Sequence, residues 1–149
     1  MRNIILLLVM LVVPFVGLAA FGVPEPLRGR IGITCVFFFT GLGHFFQARP
    51  MSAMIPQRIP GRYRLPIIYI SGIVELAGAV AVLIPSLCKI TGVLLCGFLL
   101  LVLPSNIDSA IRRVPFGGHA AGPIYLLARI PLQAVLIGWI YWFAVLHNQ

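Results

Sequence analysis

Five polar side chains lie inside long apolar runs of this chain: His44, Glu75, Asn106, Arg129 and Gln133. Together they could hold a polar head group and move a proton. Glu75 is an acid, and histidine is the side chain that titrates nearest neutrality, so Glu75 and His44 form the candidate catalytic pair. Arg129, Asn106 and Gln133 bring N–H donors and are the candidate ligand-binding residues. Thr40 and His44, Ser71 and Glu75, and Arg129 and Gln133 are each four residues apart, which places each pair on one helical face. At about 1.5 Å per residue, Glu75 lies roughly 15 Å past Leu65 and Gln133 nearly as deep past Ile124. Arg129 is about 7 Å in, while His44 and Asn106 precede the ends of their runs by about one turn. Four helices thus bring polar groups to the same half of a bilayer.

Each residue also has an ordinary reading. Glu75 with Arg129, its one embedded counter-charge, is expected to pair as a helix-bridging strut if it does nothing more. His44 alone reads as a packing histidine, and Gln133 as a partner for carbonyls released by Pro131. Asp108 belongs to a helix end beside Arg112. Convergence at one depth favours a site, because an isolated carboxylate near the midplane costs at least about 2.5 to 3.5 kcal/mol and must be neutralised, paired or hydrated.

The elements that position these groups follow from composition. Of 149 residues, 60% are apolar and only 9% are charged, which excludes a soluble enzyme. The net charge of +8 comes mainly from arginines in short connectors between apolar runs or buried in a run, unlike the clustered face of a nucleic-acid binder. Five runs can cross a membrane as helices: Ile4 to Val23, Arg30 to Ala48, Leu65 to Ile84, Lys89 to Ile111 and Ile124 to Leu146. Pro66 and Pro123 open helices, and Pro14, Pro104 and Pro131 should kink them. The first run has a signal-peptide flavour, with Arg2 before it and Gly17-Leu18-Ala19 at its end, but it is longer than the usual h-region and reads as a retained span. Seven cations fall on the side of the N-terminus and three, Arg28, Arg30 and Lys89, on the other, so the N-terminus is expected in the cytoplasm and the C-terminus outside, in the plasma (inner) membrane. Trp139, Tyr141 and Trp142 then form the outer aromatic belt. The connector Arg49 to Arg64 reads equally as an interfacial segment, through Met51, Met54 and Ile55, and as a plain basic loop. Cys35, Cys88 and Cys96 contain no C-x-x-C and are expected to pack, and three scattered histidines give no metal or haem site.

The stretches FFFTGLGHFF, YISGIVELAGAVAVLIP, LLVLPSNIDSAI and LLARIPLQAVLIGWIYW, in that order, resemble the DoxX-like family of small integral membrane proteins. The resemblance implies an all-α, four-helix transmembrane bundle over residues 30–147, preceded by one extra helix over residues 1–24, all in a single transmembrane domain. Family members include small subunits of thiosulfate:quinone oxidoreductase and proteins linked to redox homeostasis. Carried over by motif, the matching positions are His44, Glu75, Asn106, Arg129 and Gln133, the set already selected by depth.

Three functions compete. The first is a redox-associated membrane subunit whose cluster binds a quinone-like or lipid ligand or relays protons, with Phe37, Phe38, Phe39, Phe45 and Phe46 lining the slot and a redox enzyme as partner. The second is a non-catalytic assembly or accessory protein, associating with a partner or with its own copies. The third is a small intramembrane isomerase acting on an apolar substrate through Glu75 and His44. Transport is disfavoured by the lack of an inverted repeat.

Overall fold

The protein is described by a computed structural model covering residues 2–147. The Arg2 side chain, counted above among the cations, lies outside the described part. Within it the regular structure is all helix, with no strand: α1 (Arg2–Gly17), α2 (Glu25–Phe46), α3 (Ala48–Ser52), α4 (Gly61–Ala81), α5 (Pro85–Ile111) and α6 (Leu126–Ile140). A 3-10 turn, Leu18–Phe21, extends α1; a second, His119–Tyr125, leads into α6; and α6 continues as a π-helical segment, Tyr141–Leu146. Five stretches are long and apolar enough to cross a membrane: Asn3–Phe21, Glu25–Phe46, Gly61–Ala81, Pro85–Ile111 and His119–Leu146.

The starts follow proline chemistry. Pro24 and Pro60 precede α2 and α4, and Pro26 and Pro85 occupy first-turn positions, where a missing N–H costs nothing. These signals begin α2 at Glu25, not Arg30, and α4 at Gly61, not Leu65. Hydropathy placed those boundaries at the edge of the apolar run, whereas the backbone coils through the flanking polar residues.

α2 packs most extensively on α4 and next on α1, while α5 packs on α6 and its π-helical extension. The core is filled by Leu11, Ile33, Phe37, Val82, Leu95, Leu132 and Ile140. A smaller apolar cluster joins Ala48 of α3, Ile55 and Ile68 of α4, so the connector after α2 folds back on α4. Arg112, paired with Asp108 at 2.7 Å, holds this connector by donating to the carbonyls of Ala53, Met54 and Ile55. Arg112→Ala is therefore expected to speed amide hydrogen exchange across residues 53–55 and to cost about 1 kcal/mol of stability. Unchanged exchange there would show that apolar packing alone holds the connector.

Candidate functional site

α2 and α4 meet through two glycines. A Cβ on Gly72 would lie 2.7 Å from the His44 Cβ, and one on Gly41 would lie 3.2 Å from the Gly72 carbonyl. Only hydrogen at both positions permits this approach, which sets His44 against Glu75 at 3.7 Å between Nδ1 and Oε2. Both side chains are buried, Glu75 at 7% exposure and His44 at 8%.

Hydrogen bonding defines the roles open to the pair. His44 Nδ1 lies 2.9 Å from the Thr40 carbonyl, and because a carbonyl only accepts, Nδ1 carries the hydrogen. That hydrogen is committed to Thr40, which leaves Nε2 to accept or release a proton. Glu75 Oε2 consequently gains no hydrogen from His44, and no other group among the described residues donates to it. Thr40 donates its hydroxyl to the Val36 carbonyl at 3.0 Å and stands beside the carboxylate.

The expected Glu75–Arg129 strut is not formed: among the described residues the ion contacts are His44 with Glu75 and Asp108 with Arg112. Arg129 stands off Glu75, within reach of its charge but not of a hydrogen bond, and its Nε is buried without an acceptor. Helical periodicity gives the face on which Arg129 lies but not the rotation of α6 against α4. One turn later Gln133 donates Nε2 to the Leu99 carbonyl at 2.6 Å, so it bridges α6 to α5 instead of serving carbonyls near Pro131. Leu99 lies about one turn before Pro104, where a proline disturbs the hydrogen-bond ladder. Gln133 Oε1 remains buried and unpartnered. Asn106 is buried on α5, but no side-chain hydrogen bond ties it to the other four among the described residues. Asp108 pairs with Arg112 one turn on, as expected.

The phenylalanines do not form one wall. Phe37 is in the core, whereas Phe38, Phe39, Phe45 and Phe46 are exposed, the last at 83%. Successive helical residues turn by about 100°, so three in a row cannot share a face. Cys35, Cys88 and Cys96 are free thiols, and Cys88 and Cys96 lie against carbonyls of the last helix as packing residues. No group of three or more metal-ligating side chains exists among the described residues.

Two polar residues went unrecognised in the sequence. Arg30, read there as the first residue of its run and counted as a surface cation, is buried within α2 and donates Nε to the Phe143 carbonyl at 3.3 Å and Nη2 to the His147 carbonyl at 2.9 Å. His119, read as a stray histidine, is 3% exposed, and its ring centroid lies 4.8 Å from that of Tyr125. Its position between the Gly117-Gly118 pair and Gly122 was the available signal, since glycines let the backbone fold a side chain inward.

Comparison with known proteins adds one match. The model of a family described as a domain of unknown function, DUF8561, covers residues 33–144. No curated protein and no solved structure matches the chain.

Proposed function

This chain belongs to the DUF8561 family, which brings no activity with it, and we propose from the site that it is a five-span integral membrane protein, similar to DoxX-like proteins, acting as a redox-associated subunit that binds a quinone-like head group. The carrying observation is a set of buried polar atoms left without partners: the acceptors Glu75 Oε2 and Gln133 Oε1, and the donor Arg129 Nε. Buried polar groups are normally satisfied, so an unsatisfied donor and acceptors among neighbouring helices favour an exchangeable ligand. A quinone-like molecule supplies carbonyl acceptors when oxidised and hydroxyl donors when reduced, and it carries electrons for a partner subunit. In this reading Arg129 donates to a carbonyl, and Gln133 and Asn106 orient the head group. Glu75 accepts a hydroxyl hydrogen and can take the proton. His44, fixed by Thr40 with Nε2 free, is the proton's next holder.

Outward-facing apolar side chains support the membrane setting. Ile5, Ile70, Leu101 and Leu127, on four different helices, are all exposed, which is costly in water and favourable in lipid. The cation bias supports an N-terminus in the cytoplasm.

Glu75→Gln and Arg129→Gln test the site. Titrated with a short-chain benzoquinone and its hydroquinone in nanodiscs, Glu75→Gln should weaken the hydroquinone about tenfold and leave the quinone nearly unchanged, while Arg129→Gln should do the reverse. Equal binding of both forms by wild type and both variants would sink the reading.

A further inference from the structure

Between α5 and α6 the backbone enters the left-handed region at Arg113 (φ 53°), Gly117, Gly118 and Gly122. At a non-glycine residue this is strained, and it persists here because the surrounding chain holds it. The bend lays the Arg113 side chain over Gly122, where a Cβ would come within 3.0 Å of Nε. The Arg113 side chain is exposed and has no hydrogen bond or ion pair among the described residues, whereas its neighbour Arg112 consumes Asp108, the one acid at this end of α5. Gly122 is next in the chain to Ala121, which with Tyr125, packed against His119, walls an open groove of about 460 Å³. Gly118, Ile124, Leu127 and Ala128 line the rest, so the walls are almost wholly apolar. Arg129 adds a second positive charge close to Tyr125 and His119.

We propose that this groove seats an acyl chain of an anionic phospholipid whose phosphate rests on Arg113. An apolar slot adjoining an unpaired arginine, at the end of the protein richest in cations, is complementary to a lipid that joins a chain to a negative head group. A free anion would gain the charge but leave the groove empty, and a neutral lipid would gain the groove but not the arginine. The proposal rests on the membrane setting and not on the quinone site.

Lipid-stripped protein in non-ionic detergent is mixed with equal amounts of phosphatidylglycerol and phosphatidylcholine of matched chains, and retained lipid is counted by native mass spectrometry. Wild type should retain phosphatidylglycerol about fivefold over phosphatidylcholine. Arg113→Gln should bring the ratio near one, Arg113→Lys should preserve it, and Ala121→Trp, on the exposed groove wall, should remove the retained lipid. Millimolar inorganic phosphate should not displace it. A ratio near one in wild type, a preference that survives both Arg113→Gln and Ala121→Trp, or displacement by phosphate would each overturn the proposal. Glu75→Gln should leave the lipid ratio unchanged, so failure of the quinone reading is seen separately.

Discussion

Gly72→Val should lower the unfolding stability of the purified protein by about 3 kcal/mol, at the upper end of what overpacking costs. The new Cβ alone would meet the His44 Cβ at 2.7 Å, the Phe45 ring edge at 2.9 Å and the Gly41 carbonyl at 3.1 Å. The carbonyl is backbone and cannot swing aside, so α2 must move off α4. That movement also parts His44 from Glu75, and both quinone forms should lose affinity together, unlike the split expected from Glu75→Gln. Gly43→Ala is the internal control: it lies on the facing helix α2, two residues past Gly41, with open space around it, and should be neutral or gain a few tenths of a kcal/mol from helix propensity. Thermal unfolding in one detergent, read by circular dichroism, measures both. A Gly72→Val protein as stable as the control would show that the glycine crossing is not what holds the two helices together.

Arg30→Met is expected to cost about as much, roughly 3 kcal/mol, for a different reason. The last turns of a helix leave carbonyls without intrahelical donors, and they carry the negative end of its dipole. In the π-helical segment Tyr141–Leu146 these carbonyls need outside partners, and Arg30 supplies two donors to Phe143 and His147. Cys88 reaches the Ala144 carbonyl between them at 3.5 Å. Methionine keeps the apolar stem but leaves both acceptors bare, so hydrogen exchange should rise across residues 141–147 before the rest of the molecule unfolds. Arg30→Lys should recover only part of the loss, because one ammonium cannot span two carbonyls as a guanidinium fork does. Protection across 141–147 that is unaffected in Arg30→Met would refute the cap.

Arg30 also separates what hydropathy reads well from what it reads poorly. Counting cations per side treats it as a surface charge, yet its guanidinium is spent inside the protein on a helix end. Nothing within ten residues of Arg30 reveals this, since its acceptors are more than a hundred positions away. His119 is similar: its neighbours in sequence are small, and its burial depends on how four left-handed residues fold the segment back on Tyr125. Asp108 and Arg112 lie at the opposite extreme. Their pairing needs only the helical repeat, and it was legible directly, although the connector that Arg112 also grips was not.

The number and approximate extent of the long apolar helices were determined by the sequence alone, whereas the short α3 in the connector was not. Five long apolar stretches must coil to satisfy their own backbones, a requirement met within each segment without reference to any other. His44, Glu75, Asn106, Arg129 and Gln133 were equally legible, because a polar group inside an apolar run is costly wherever the helix goes, whereas Arg30 and His119 were not. The identity of Glu75's neighbour was decided by tertiary structure. Spacing of four residues sets a face, but the rotation and approach of two helices depend on side chains from both. Here Gly41 and Gly72 let α2 and α4 close until His44 meets Glu75, while α6 keeps Arg129 outside hydrogen-bond reach of that carboxylate.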